Sequence, residues 1–202
     1  LGMRVRLLGC VGEDIWAEQI LKELSKTHIA LSSIQKVKTF TPPSRDPVYV
    51  FSQLSKNVEN ACMKARRYKL EAMRLYFFLK TQDFNYRGAE IKLSRSSAFP
   101  NEIIRIIRPL FHEVFDPALE YRATGVCLFK LKPQSSLQLD LFGEVLAVEK
   151  FRKIFESVDV IRNKYGKHTV CLGSSLLANK SSQHLNLRSF ECPLKFQEIK
   201  RL

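Results

Sequence analysis

No stretch of this chain is apolar for the roughly 20 residues that a membrane-spanning helix needs; the densest short apolar cluster runs only from Leu75 to Leu79. A secretory leader is not expected, because Leu1-Gly2-Met3-Arg4 is followed by neither an apolar region nor a cleavage site. The five cysteines, Cys10, Cys62, Cys127, Cys171 and Cys192, form no C-x-x-C pair, and no histidine stands near one at zinc-ligand spacing. They read as reduced intracellular thiols. His28, His112, His168 and His184 are scattered and read as surface or packing residues. Internal repeats and low-complexity tracts are absent. Acid is scarce: 33 Lys and Arg stand against 20 Asp and Glu, a formal net charge of +13. A surplus of that size points to a polyanionic partner, either nucleic acid or an anionic membrane surface, and without a spanning run the membrane reading is the weaker. Chemistry-bearing constellations are also missing. Glu13-Asp14 is the one adjacent acidic pair, and at a helix start it suits the helix dipole better than a metal ion. No nucleophile–base pair marks an independent enzyme. The chain begins without Met and is expected to be a piece of a longer protein.

What is present is a regular alternation of elements. In residues 1–30, Gly9 and Gly12 punctuate a turn, and Ile15, Trp16, Gln19, Ile20 and Leu24 fall at helical spacing, the helix ending near Thr27. Residues 31–47 are extended, with Pro42, Pro43 and Pro47 forbidding a long regular element. From Val48 to Tyr68 a helix is expected. Phe51, Leu54, Val58, Ala61, Cys62 and Ala65 make its apolar stripe, and Lys56, Glu59, Lys64 and Arg67 face away. A strand follows from Leu70 to Lys80, a turn at Thr81–Asn85, and a second strand from Tyr86 to Arg95. Pro100 opens another helix with Ile103, Ile107, Leu110, Phe111 and Val114. Tyr121 to Leu131 is the last strand, ending at Pro133. With Ser33–Phe40 as the first strand, the order is β-α-β-β-α-β. The expected class is therefore α+β, a split βαβ, ferredoxin-like domain with two helices on one face of a four-stranded sheet. A helix over Glu144–Tyr165, carrying Val148, Phe151, Phe155, Val158 and Ile161, and a short strand at Thr169–Leu172 complete the expected elements.

The uncovered sheet face is where the charge should act. In the first hairpin strand Met73, Leu75, Phe77 and Leu79 form the continuous apolar set, which forces Arg74, Tyr76, Phe78 and Lys80 to the opposite face. Lys92 and Ser94 join them from the next strand, with Arg95 at its end, and Lys36 and Lys38 share one face of the first strand. Basic side chains among hydroxyls on a broad surface suit phosphate contact, which positions nucleic acid without reading bases. The expected DNA-binding set is Lys36, Lys38, Arg74, Tyr76, Lys80, Lys92, Ser94 and Arg95. Tyr76 and Phe78 either stack on bases or lie under another domain. A plain solvated strand face is the alternative reading of the same charges.

Several segments, in their order, resemble the little finger domain of Y-family, translesion DNA polymerases of the DinB/UmuC (ImpB/MucB/SamB) group. Ser33-Ile34-Gln35-Lys36-Val37-Lys38-Thr39-Phe40 is similar to that family's SIG-x-x-x-TF opening segment, with Gln35 in place of the glycine. Leu75 through Asp83-Phe84 resembles its first hairpin strand and D-F turn, and Tyr121 through Leu128 resembles its YR-x-x-GV-x-L closing strand in a form nearer UmuC. Tyr86–Arg95 is less arginine-rich than the family's T-R-S-R pattern. Leu8-Gly9 with Gly12, Ile15 and Trp16 looks like the end of the thumb, and Val158–Ile161 through Lys164-Tyr165-Gly166 resembles a segment of UmuC-like members. Gln138-Leu139-Asp140-Leu141-Phe142, before Gly143, resembles the QLxLF pentapeptide with which bacterial polymerases and repair factors dock on the sliding clamp. Leu141 and Phe142 would fill a deep apolar pocket, Leu139 a second, and Gln138 would supply a directional hydrogen bond. The alternative places Leu139 and Leu141 on one face of a short strand packed against the following helix.

The resemblance implies four regions: a thumb remnant over 1–30, a DNA-binding little finger over 31–133, a linker with the clamp motif over 134–143, and a C-terminal helical extension over 144–202. It implies a role in DNA damage repair and tolerance (the SOS response), with primer–template DNA and the bacterial beta sliding clamp as partners and the cytoplasmic nucleoid as location. The palm is missing, so this part carries no catalytic residue, metal or cofactor of its own. The parent would be a DNA-directed DNA polymerase, a nucleotidyltransferase using magnesium. A free-standing nucleic-acid-binding module of ferredoxin-like fold is the competing class; a start codon close to Leu1 would mark it.

Overall fold

A computed structural model describes residues 33–134 and 144–180, all of which lie in the unit Ser33–Leu202. The elements are β1 (Ser33–Ser44), α1 (Pro47–Arg67), β2 (Leu70–Thr81), β3 (Tyr86–Ser97), α2 (Pro100–Val114), β4 (Tyr121–Pro133), α3 (Glu144–Tyr165), a 3-10 turn (Gly173–Ser175) and α4 (Leu176–Lys180). The α+β order over 33–133 is the expected one. The four strands form one sheet in the order β1-β4-β2-β3, and every neighbouring pair is antiparallel. β4 thus separates β1 from β2, and β2 separates β3 from β4, so both βαβ units are split by one strand.

Local chemistry sets the boundaries. The Asp46 carboxylate accepts from the Val48 amide and Pro47 occupies the first turn, which starts α1. At its other end the amides of Tyr68 and Lys69 return to the last carbonyls, with Lys69 at φ 53°. Between sheet and helices lies one core. Val50, Leu54, Val58, Ala61 and Ala65 of α1 and Ile103, Ile107 and Phe111 of α2 meet Leu75, Phe77, Leu79, Val126 and Leu128 from the central strands.

Four expectations are corrected. β1 does not stop at Phe40: it runs on through Pro42 and Pro43, but its pairing jumps from Thr39↔Ala123 to Ser44↔Tyr121. Proline offers no amide to a ladder, and an edge strand tolerates that gap. Met73 is only half-buried, and Ala72 takes the core position. Pairing with β3 also shifts there, from Ala72↔Ser97 to Arg74↔Lys92. Thr169 and Val170 form a bend and Cys171 and Leu172 have no regular structure, so no strand forms there.

The fourth correction concerns α1. Lys56 and Glu59 do not face solvent; both are buried beneath the C-terminal segment. Lys56 Nζ donates to the Ala178 carbonyl at 3.1 Å. The Glu59 carboxylate receives Arg162 Nη2 at 2.6 Å, the Leu172 amide at 3.1 Å and the Ser175 hydroxyl. Arg66 grips Asp159 of α3 through Nε and Nη2 at 2.7 and 2.8 Å. Phe99, Val148 and Phe155 make a small second core beside these pairs. α1 is therefore covered on both sides, by the sheet and by a third layer that amphipathic periodicity alone does not announce.

Candidate nucleic-acid interface

Residues directly opposite in an antiparallel ladder project to the same face. Arg74, Tyr76, Phe78 and Lys80 of β2 therefore share a face with Lys92, Glu90, Gly88 and Tyr86 of β3. On the other side they oppose Phe129, Cys127, Gly125 and Ala123 of β4, which in turn oppose Ser33, Gln35, Val37 and Thr39 of β1. This is the face turned away from α1 and α2. It carries Arg74, Tyr76, Lys80 and Lys92 together, and Ser94 is exposed one alternation beyond Lys92.

Two glycines shape its centre. Phe78 lies over Gly125 so closely that a Cβ there would come within 2.3 Å of the ring. At Gly88 a Cβ would stand 2.2 Å from the Phe77 carbonyl oxygen and 2.8 Å from the Tyr76 hydroxyl. Tyr76 stacks on Phe78 and Tyr86 meets it edge-on, with centroids 6.1 and 5.3 Å away. Phe78 is consequently only 6% exposed although it points away from the core. It is not a free base platform, because Tyr76 and Tyr86 pack against it.

The free rings stand at the hairpin end. Phe84 and Tyr86 are 60% and 59% exposed. The Thr81–Asn85 turn holds Phe84 at φ 66°, a conformation unusual for a bulky side chain. Thr81 fixes it: its carbonyl accepts from the Phe84 amide at 3.1 Å and its hydroxyl oxygen accepts from the Asn85 amide at 3.1 Å. Lys80 Nζ lies 4.7 Å from the Phe84 ring centre and 4.9 Å from that of Tyr86, and the Arg122 guanidinium covers Phe84 at 4.6 Å. Such cation–π contacts are worth about 0.5–1 kcal/mol at exposed sites. They orient the charges without neutralising them. Arg74 by contrast pairs with Glu90 at 2.8 Å.

Three residues of the expected set lie elsewhere. Lys36 and Lys38 oppose Val126 and Thr124, on the helix side of the sheet. Alternation put them on one face of β1 correctly but did not say which. Lys36 is half-buried there, and its pKa falls to about 8 through burial first and then Lys64, Lys167 and Arg67. Arg95 turns to α2 and binds Glu102, whose other oxygen receives the Ser97 hydroxyl at 2.7 Å. Arg122, Phe84 and Tyr86 belong to the face and were not singled out for it. Arg122 reaches it because pairing with β2 slips by one residue between Lys80↔Ala123 and Thr81↔Tyr121. The sequence signals were the YR pair and the D-F turn. The pentapeptide Gln138, Leu139, Asp140, Leu141, Phe142 lies outside the described residues, between the end of β4 and the start of α3.

Among the described residues no three His, Cys, Asp or Glu side chains group to hold a metal ion, and no helix is long and apolar enough to cross a membrane. The chain matches the model of the impB/mucB/samB family C-terminal domain over residues 32–141. It is 28% identical over 118 residues to the DNA polymerase IV of Pelotomaculum thermopropionicum, an overlap covering 58% of this chain and 29% of that protein. Among solved structures it is similar to a complex of beta-clamp processivity factor and the little finger domain of PolIV, with 20% identity, 55% of this chain, 98% of that one and a TM-score of 0.38. It is similar also to an insertion ternary complex of Dbh DNA polymerase, with 16% identity, 60% and 36% of the two chains and a TM-score of 0.45.

Proposed function

The chain belongs to the impB/mucB/samB family through its C-terminal domain, and from that premise we propose that it grips DNA and docks on a sliding clamp for an error-prone, translesion DNA polymerase. The observation that carries the reading is the open sheet face of the matched domain. Lys80, Lys92 and Arg122 stand there beside exposed rings, with Glu90 the acid drawn to Arg74. Lysine and arginine on a broad strand face hold phosphates without reading sequence. A grip of that kind tolerates distorted template, which suits synthesis across damage. Phe84 and Tyr86 add surfaces on which an unpaired base stacks.

The polymerase relative names an activity that this chain would share in rather than perform. Nucleotidyl transfer with magnesium would reside in a palm with paired carboxylates. The pentapeptide 138–142, which follows β4 in the sequence, would tether the domain to a bacterial beta clamp in the cytoplasm. Leu141 and Phe142 would anchor it, with Leu139 and Gln138 completing the fit.

Charge reversal tests the first half. Lys80→Glu with Lys92→Glu is expected to weaken binding to primer–template duplex at least tenfold at low salt. It should also flatten the dependence of log K on log salt by about 2, at roughly 0.9 per lost phosphate contact. An unchanged slope would refute the sheet-face grip. For the tether, Leu141→Ala with Phe142→Ala should abolish capture by a bacterial clamp in calorimetry while leaving duplex binding intact. Full-strength clamp binding by that variant would sink the docking role.

A further inference from the structure

The helix side of the domain carries a second concentration of positive charge that the sheet face does not explain. The last turn of α1 ends in Lys64, Arg66 and Arg67, and Lys69 follows. Arg66 is engaged by Asp159 and by the Ala98 carbonyl. Arg67 and Lys69 are exposed. Beside them a cleft of about 360 Å³ opens between α1 and α3, lined among others by Arg67, Lys69, Gln134, Arg152, Glu156 and Asn163. The Nε of Arg152 is buried with no hydrogen-bond partner among the described residues. A buried guanidinium N–H without an acceptor is costly and marks a position where an acceptor belongs.

A second observation points the same way. On the edge strand β1, Lys36 faces this side, and Lys64, Arg67 and Lys167 crowd it. The cations therefore continue from the rim of the cleft to the exposed edge of the sheet, contributed by β1, α1, α3 and the turn after α3. Lysine is depleted from the centres of protein interfaces, whereas lysine and arginine dominate phosphate contacts. Gln134 and Asn163 add neutral hydrogen-bonding groups of the kind that also meet phosphate oxygens.

We propose that the cleft between the end of α1 and α3 is a second phosphodiester site, seating the backbone of nucleic acid that passes along the helix side of the domain. Arg152 supplies the buried donor, Arg67 and Lys69 the flanking charges, and Lys36 the continuation onto β1. The choice of nucleic acid rests on the function proposed above; the anion site itself does not. Because α3 lies outside the matched domain, the site would exist only in chains that carry this third layer.

The test measures binding of a long duplex to the whole chain across a salt series. Arg67→Glu with Lys69→Glu, both at exposed positions, should weaken binding several-fold and flatten the log–log slope by about 2. Arg152→Gln should flatten it by about 1 with an unchanged melting curve. If Arg152→Gln fails to fold, the exposed pair decides alone. Wild-type affinity and slope in the exposed pair overturn the proposal, even if that pair weakens binding to an acidic protein. The Lys80→Glu, Lys92→Glu variant separates the two readings. Loss there with none at Arg67 and Lys69 leaves only the sheet grip. Loss at Arg67 and Lys69 with none at the sheet removes the sheet grip and keeps this site.

Discussion

The open sheet face and the C-terminal layer draw on the same residue types for opposite ends. In the C-terminal layer, arginine meets carboxylate in fixed pairs: Arg162 with Glu59 at 2.6 Å, their side chains 6% and 2% exposed, and the part-buried Arg66 with Asp159 at 2.7 Å. Arg162 and Arg66 each have a fixed partner, and the two pairs lock α3 and the following turn onto α1. On the sheet face Lys80 and Arg122 rest on ring surfaces and Arg74 pairs with one exposed acid. Those contacts are weak and open to water, so a phosphate displaces them at little cost. Charge that is buried and paired specifies structure; charge held loosely over aromatic rings remains available for a ligand.

Substitutions on either side should expose that difference. The largest effect is expected at Arg162. Its loss leaves Glu59 charged and buried, and breaking such a pair costs about 3–5 kcal/mol. Arg162→Ala should lower unfolding stability by that order in a denaturant titration, yet leave the sheet-face contacts with duplex intact under conditions where the chain stays folded. Next comes Gly125→Ala. The new methyl group would strike the Phe78 ring, and overpacking of this kind costs about 1–3 kcal/mol. Here stability and duplex affinity should fall together, because Phe78 supports Tyr76 and Tyr86 on the binding face. Equal effects of both variants on DNA binding would erase the proposed division.

The smallest effect is a pH dependence confined to the C-terminal layer. His168 is held down to about 4 by burial first, then by Lys56, Arg162 and Lys167. Above its unfolded pKa of about 6.5 the imidazole is neutral in both states and contributes nothing. As pH falls from there toward 4, the unfolded chain takes up a proton that the folded one refuses, so stability falls. His168→Asn, which tolerates the local φ of 71°, should reduce that slope in melts across the window. A slope of undiminished size would place the titration elsewhere.

The β-α-β-β-α-β order was readable because each element has one wet and one dry side, and periodicity records that directly. It failed where a residue has two dry sides. Lys56 and Glu59 look like the solvent stripe of α1, and only the arrival of Arg162, Ser175 and Ala178 from more than a hundred residues away makes them buried. The binding face was half legible. Alternation in β2 placed Arg74, Tyr76 and Lys80 together, because Leu75, Phe77 and Leu79 fix the phase. β1 has too few core residues to set its phase against β2, so Lys36 and Lys38 fell on the other side. Arg122 was hidden by a one-residue slip in pairing, which no local pattern encodes.

Mapping a primer–template duplex onto the chain by backbone amide NMR tests the central claim most directly. The account predicts that signals of Tyr76, Lys80, Phe84, Tyr86, Lys92 and Arg122 shift with bound duplex and return as salt is raised. Those signals staying in place while duplex binds would contradict it.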